Sequence, residues 1–555
     1  MSGALSLALT PAPLVLALAA AAFAPRPRRE LVRWMAIGGI VSTLALLALD
    51  AAPVVGGGRI LASFGQAMPG IPYLFRADSV AMVVAITAAA AALLALLSER
   101  LVEPGHAPAI LLCVLGSVVA AVAGNAVMLF AGVELANVGV FGLLTKPGQR
   151  PRRGALLTLG VEHVGALGLL AAAAYLQATA GTSDFSALPA GSVTAAVALP
   201  WAFGATVRLL APAIAPLRGA VATSTWAATA SVPTGAVMLL RLREAAGSAQ
   251  PLGGSVALAF LGVAVALAGA AIMVRRPSVP SSAGRGLMLA VAGPVIALAG
   301  LPTAIAATAV AVGVGALEIA AAASSVWERA GASAQERGLA AAAVVAASGL
   351  PLGFGATAIV LELSAAIGLG AVGLPLLLGL GMAIVAAAAA SVRVARHLVR
   401  HGNGSERRAG LPAPLGLTAR VAAVAGAVVP GAFAGWLNGA LGSPSTLADA
   451  GVSAATGPAG GWAGGYFVVA ALVLGAAAVA TLSLTGTRVR GLELLASPGT
   501  VDDVPPPVPP SRVRAARHAW RALRRGIPVV DGWIAQQPQL PLIAAGSVLA
   551  VVLIR

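Results

Sequence analysis

Lysine is almost missing from this chain of 555 residues: Lys146 stands alone. Charged residues of all kinds make up 10%, against roughly 25% in soluble globular domains. Cysteine is reduced to one residue, Cys113. Each shortage excludes something. A soluble fold needs far more surface charge, so composition rules out a soluble enzyme. One thiol builds neither a disulfide framework nor an iron–sulfur site, so the chain carries no cluster of its own. The only lysine lies in a basic run with Arg150, Arg152 and Arg153, which leaves no lysine to titrate inside an apolar segment.

What remains is 59% hydrophobic, with a mean hydropathy of +0.93. Apolar runs recur from end to end, and a helix needs ~20 such residues to cross the hydrocarbon core. The expected fold is an all-α polytopic membrane protein with about 14–16 transmembrane helices. The fifth run covers 125–144, the sixth 155–178, the seventh 193–215, the eighth 220–240 and the twelfth 338–367. The last, 540–554, is short. The first has no basic segment before it and reads as a retained helix, not a cleaved leader.

The formal net charge of +16 sets topology in such a chain and does not point to nucleic acid. Arginines cluster after odd-numbered runs, as at Arg26, Arg28, Arg29 and Arg33, and again at Arg393, Arg396, Arg400, Arg407 and Arg408. Loops after even-numbered runs hold few, apart from Arg59, Arg76 and the pair Arg241 and Arg243. The positive-inside rule then places the N-terminus outside and the basic loops in the cytoplasm of a cell-membrane protein.

Two stretches are not membrane-like. Residues 438–464 are a small-residue loop, and 491–539 open with a Pro-rich linker. In the latter, Arg514, Arg517, Arg521 and Arg525 surround Trp520 at helical spacing, as in an interfacial basic helix. The string "GLGAVG" at 368–373 matches a dinucleotide fingerprint but joins two apolar runs, where no strand–turn–helix unit exists, so it is rejected. Two runs hold internal breaks: Pro212 and Pro216 in the seventh, and Gly349, Pro351, Gly353 and Gly355 in the twelfth. Breaks five runs apart fit two inverted repeats, because five spans enter the membrane from alternate sides.

Charges inside apolar runs are few. In "LFAGVELANVGVFGLL", Glu134 sits mid-run with Asn137 one turn along. A carboxylate at that depth costs ~2.5–3.5 kcal/mol, so it is paired, neutralised or facing water. Glu162 and His163 stand together in the sixth run, as a local contact or as a relay. Asp78 with Arg76 lies at a run end and reads as fixing helix register.

Several stretches together resemble a known family: the antiporter-like membrane subunits of respiratory complex I, membrane-bound hydrogenases, formate hydrogenlyase and multi-subunit sodium/proton antiporters. They are "FRADSVAMVV", "LFAGVELANVGVFGLL", "LQATAGTSDFSAL", "STWAATASVPTGAVMLLR" and "ASGLPLGFGA", in the family's order and spacing. The short closing run is most similar to the hydrogenase branch. The resemblance implies a three-helix segment at 1–106 and inverted five-helix repeats at 107–240 and 255–392, spans four to eight and nine to thirteen. Apolar runs and composition add further helices at 393–490, a cytoplasmic Pro-rich linker with a basic amphipathic helix at 491–539 and a short terminal helix at 540–555, while the resemblance covers about 70–390. It implies a membrane subunit that moves protons while partner subunits carry out redox chemistry. No cofactor would be bound here; iron–sulfur, flavin or nickel–iron centres would belong to partner membrane and peripheral subunits.

In the family the fifth-span glutamate, matched by Glu134, pairs with a seventh-span lysine, and further lysines continue a polar axis. This chain has none of them. Arg208 matches the seventh-span position; Pro233 and Glu318 fall at or beside others, and the twelfth run has no charge before Glu362. An arginine can hold Glu134 ionised but cannot release its proton. Two functional classes therefore stand. One is proton translocation, with Glu134 and Arg208 as an electrostatic switch and Glu318, Glu362, Glu162 and His163 as further pathway groups. The other is a non-conducting scaffold with a degenerate channel; a cation/proton antiporter component is a weaker third.

Overall fold

The structure is a computed structural model describing residues 3–23, 29–54, 58–68, 70–97, 106–145, 153–214, 227–246, 252–275, 280–299 and 374–400, with isolated positions 341 and 344. Its elements run α1 (Gly3–Leu9), α2 (Ala12–Phe23), α3 (Arg29–Val54), β1 (Ile60–Met68), β2 (Ile71–Ala77), α4 (Ser79–Leu97), α5 (Ala107–Ala121), α6 (Ala126–Leu144), α7 (Arg153–Ala180) and α8 (Ala195–Ile214). A π-helical turn (Ala227–Ser231) leads into α9 (Val232–Ala246), and α10 (Leu252–Arg275), α11 (Pro280–Ala299) and α12 (Leu374–Arg400) follow. Six described helical segments are long and apolar enough to cross a membrane.

Most helix limits follow the apolar runs, because with no water in the bilayer core each backbone group must bond within its own helix. The exceptions have local causes. Pro11 lacks an amide proton, and the first run divides there into α1 and α2. An antiparallel hairpin, with Ile60 opposite Ala77 and Leu61 opposite Arg76, stands before α4, an addition to the all-helical expectation. Gly70 near its tip has φ of 79°, a conformation that suits a residue without Cβ. The eighth run extends to Ala246, so Arg241 is a buried helix residue and not a loop charge.

Consecutive helices pack side by side, α4 on α5, α5 on α6, α6 on α7 and α7 on α8, while α9 returns against α8, α4 and α5. The π turn touches α4, α5, α6 and α8, at the centre of this group. Small residues allow the closest approaches, as expected where hydrocarbon supplies no drive for helices to associate. A Cβ at Gly116 would overlap the main chain of Ala136, and one at Gly132 that of Ala120. Gly262 and Gly293 do the same for α10 and α11. Replacing Gly116 with leucine should separate α5 from α6 and cost about 1–3 kcal/mol or more. A lower melting temperature of the detergent-solubilised variant would show it, whereas Gly38, with open space around its Cβ position, should accept alanine without loss.

At one end of the group, β2 is stitched to the α5–α6 turn. The Arg76 amide donates to the Val122 carbonyl at 2.7 Å, and the Gly124 amide to that of Leu74 at 2.8 Å. Asn125 caps α6 by accepting from the Met128 amide at 2.8 Å while its own amide donates to the Pro72 carbonyl.

Candidate functional site

Glu134 occupies the ninth of nineteen positions in α6, about 12 Å along a helix rising ~1.5 Å per residue. Its carboxylate meets His163 of α7: Nδ1 lies 3.0 Å from Oε1 and 3.1 Å from Oε2. Asn137, one turn along α6, donates from Nδ2 to Glu134 Oε1 at 3.2 Å, the local contact that the i+3 spacing suggests.

Asn137 also faces inward. Its Oδ1 accepts from Arg208 Nη1 at 2.7 Å, which fixes the amide orientation: oxygen to the cation, nitrogen to the carboxylate. Arg208, fully buried on α8, has its direct ion pair with Glu162 of α7, Nη1 to Oε2 at 2.9 Å, and Glu162 is equally buried. The expected charge pair is thus rearranged. Glu162 holds the arginine directly, and Glu134 reaches it through Asn137. The reason lies in helix geometry: successive residues point about 100° apart, so Glu162 turns to α8 and His163 to α6.

The far end of this chain is set by the π turn. Ser231 Oγ donates to Glu162 Oε1, and Thr234 Oγ1 accepts from Arg208 Nε at 2.7 Å while donating to the Ala230 carbonyl at 2.6 Å. Ser117 Oγ of α5 donates to the Thr229 carbonyl in the widened turn at 2.8 Å. Such turns gather at functional sites because they release backbone groups. Ser231 and Thr234 were not candidates from sequence; two hydroxyls three residues apart within an apolar run were the available signal. Pro233, the position that the resemblance gives to a lysine, is buried between them.

The six side chains His163, Glu134, Asn137, Arg208, Glu162 and Ser231 form one unbroken polar line across α7, α6, α8 and the π turn. Its inner part is sealed, with Arg208 and Glu162 at 0% exposure. Its outer part is open, with His163 at 51% and Glu134 at 28%. Val138, Val164 and Leu167 are exposed on the same outward face. Among the described residues Arg208 Nη2 has no hydrogen-bond acceptor.

A second charge cluster lies at the hairpin end. Asp78 takes both Arg241 nitrogens, at 2.6 and 3.1 Å, and Arg76 Nε at 2.8 Å. Glu244 pairs with Arg241 at 2.8 Å and with Arg76 Nη2. The Arg241 guanidinium stacks 5.8 Å from the centre of the Phe185 ring. Burial alone would raise the Asp78 carboxyl, but Arg241 and then Arg76 hold it below the ordinary carboxylate value. Arg76 and Asp78 were expected to fix a helix end; Arg241 and Glu244 complete that fixing across α9. Pro212 lies inside α8, two residues before its last described residue. Pro216, Gly349, Pro351, Gly353, Glu318 and Glu362 lie outside the described residues. Among the described residues no group of three or more His, Cys, Asp or Glu side chains could hold a metal.

The chain is a multi-pass membrane protein whose helical fold is similar to that of chains in three solved complexes. Three solved structures show the likeness. A chain of the Mrp complex from Dietzia sp. DQ12-45-1b matches with TM-score 0.70 at 19% identity, over 97% of this chain and 63% of that one. A chain of the membrane-bound sulfane sulfur reductase, an archaeal respiratory membrane complex, matches with TM-score 0.65 at 15% identity, over 99% of both. A chain of respiratory complex I from Thermus thermophilus matches with TM-score 0.60 at 19% identity, over 80% of this chain and 99% of that one. This chain therefore spans just under two thirds of the Mrp-complex chain. No family model and no curated protein sequence matches it.

Proposed function

We propose that this chain is a membrane subunit of an oxidoreductase complex, coupling redox chemistry in partner subunits to proton translocation. The polar line from His163 to Ser231 carries the reading. An ion pair fully buried in a membrane helix group is costly, and such groups mark ion and proton pathways. The likeness to chains of three membrane complexes supports the same assignment. Flavin, iron–sulfur or nickel–iron centres belong to the partners. The inverted five-helix repeats at 107–240 and 255–392 are part of this proposal, supported by helix breaks five runs apart, and so are the outside N-terminus and the cytoplasmic basic loops, supported by charge distribution.

His163 and Glu134 form the exchangeable end. A protonated His163 makes a neutral ion pair with Glu134; when the imidazole gives up its proton, Glu134 is left with uncompensated charge. That charge acts through Asn137 on Arg208 and competes with Glu162 for the guanidinium, whose Nη2 has no acceptor among the described residues. Arginine moves charge here without releasing a proton, because a guanidinium is not deprotonated in proteins. The exposed dyad also supports assembly, because a polar pair at mid-helix on an outward face is stabilised by a neighbouring subunit and not by lipid.

In the reconstituted complex, Glu134→Gln should lower proton pumping by roughly an order of magnitude or more, while redox turnover with an artificial acceptor survives. Unchanged pumping would assign the chain to the scaffold class, which the tightly held Arg208 and the lack of intramembrane lysine favour.

A further inference from the structure

Asp50 is 1% exposed within α3, inside a segment apolar enough to span a membrane, yet among the described residues it forms no ion pair. Its neighbours are hydroxyls. Thr10 Oγ1 lies 3.1 Å from Asp50 Oδ2 and also 3.1 Å from the Ser6 carbonyl, and Thr43 Oγ1 donates to the Thr10 carbonyl at 3.4 Å. Thr10 and Thr43 are fully buried. The charged groups nearest in sequence are turned elsewhere: Arg59 is exposed, and Arg33 bonds the Leu96 carbonyl at the opposite end of α3. Among the described residues, the Ser6 hydroxyl of α1 and the Thr10 hydroxyl of the turn after it face the carboxyl, and no charged side chain acts on it.

The protons around Thr10 can be counted. Pro11 has no amide proton to give the Leu7 carbonyl, and the Thr10 amide bonds that carbonyl instead, at 3.2 Å. The Ser6 carbonyl thereby loses the amide donor that a regular α-helix would supply from Thr10. The Thr10 hydroxyl replaces it. A hydroxyl has one proton, so Thr10 can serve the Ser6 carbonyl or the Asp50 carboxyl at any moment, but not both. With that proton on the Ser6 carbonyl, the 3.1 Å contact between Thr10 Oγ1 and Asp50 Oδ2 is a hydrogen bond in which a protonated carboxyl donates; with the proton turned to Asp50, it is one in which a carboxylate accepts.

We propose that Asp50 is a proton-binding site, separate from the Glu134 line: a neutral carboxyl that donates to Thr10 Oγ1. The site has a second arrangement ready. Ser6 is 6% exposed, and its Oγ faces the carboxyl without completing a hydrogen bond among the described residues. When the proton leaves, the Ser6 hydroxyl turns to donate to the carboxylate. Release and rebinding therefore exchange a bond donated by the carboxyl to Thr10 for one donated to the carboxylate by Ser6, at the α1–α2 break.

Infrared spectroscopy on the full chain in lipid nanodiscs near neutral pH tests this. The expected result is a protonated-carboxyl band that Asp50→Asn removes completely, that Thr10→Val shifts to higher frequency, and that is the same in sodium and choline buffers. Glu134→Gln should leave that band in place, which separates this site from the proposed pathway. Identical wild-type and Asp50→Asn spectra would overturn the proposal. So would a band that sodium abolishes and choline does not, which would make this a cation site. If Asp50→Asn does not accumulate, Thr10→Val decides alone, and an unshifted band overturns the proposal.

Discussion

Glu162→Gln is expected to destabilise the folded chain by about 3–5 kcal/mol, the cost of leaving one member of a buried ion pair uncompensated. The substitution keeps the side chain's shape and its contact with Ser231, and removes only charge. Arg208 stays at 0% exposure with Asn137 and Thr234 as neutral acceptors, neither of which offsets a full positive charge in a low-dielectric interior. Thermal or denaturant unfolding in detergent would read the loss. The double variant Glu162→Gln with Arg208→Met provides the control, because removing both charges from a buried pair is often neutral or even stabilising. Recovery of most of the loss in the double variant is the expected outcome. A single variant as stable as the parent would mean that Arg208 has another counter-charge, Glu134 through Asn137 being the first to examine. The single variant should also pump less than the parent, since Arg208 then has only one carboxylate to answer to.

The helices were legible because the bilayer makes their signal simple: an uninterrupted apolar run of sufficient length is a span wherever its neighbours lie. The ends Ala126 and Leu144 of α6 fall within a residue of the apolar run. The hairpin was not legible, because its local β1–β2 pairing is fixed in place by bonds to the 122–124 turn, and those contacts span some fifty residues. The site shows the same division. That Glu134, Glu162, His163 and Arg208 are unusual could be read from their position among apolar residues. Which of them pair could not, since rotation of α7 by one residue's angle decides whether Glu162 or His163 faces α8. The family resemblance pointed to Glu134 as the partner of Arg208. The geometry inserts Asn137 between them and gives the direct contact to Glu162. The π turn lay beyond sequence reading because no residue type signals it; only the hydroxyls that exploit it were visible.

Asp78→Ala is expected to cost at least as much, for a different reason. Asp78 is the one carboxylate that touches both buried arginines of the hairpin-end cluster and also caps α4, accepting from the Ala81 amide at 2.9 Å. Its removal leaves Arg76 and Arg241, 2% and 0% exposed, sharing Glu244, which is 26% exposed and screened by solvent. An uncompensated buried charge costs about 3–5 kcal/mol, and a lost cap adds roughly 1 kcal/mol. Glu244→Ala should be milder, because both arginines keep Asp78. The two variants therefore separate charge balance from simple crowding, and equal losses would refute the central place given to Asp78. The pH dependence has a definite sign. The Asp78 value is lowered in the folded state, so its stabilisation is complete above the unfolded carboxylate pKa of about 3.9 and is lost as pH falls through the lower folded value. Parent unfolding followed downward in pH should show that loss, and Asp78→Ala should lack it. Because the cluster joins β2, the start of α4 and the end of α9, its failure should open the hairpin end first, with hydrogen exchange rising at Arg76 and Gly124 before it rises in α6.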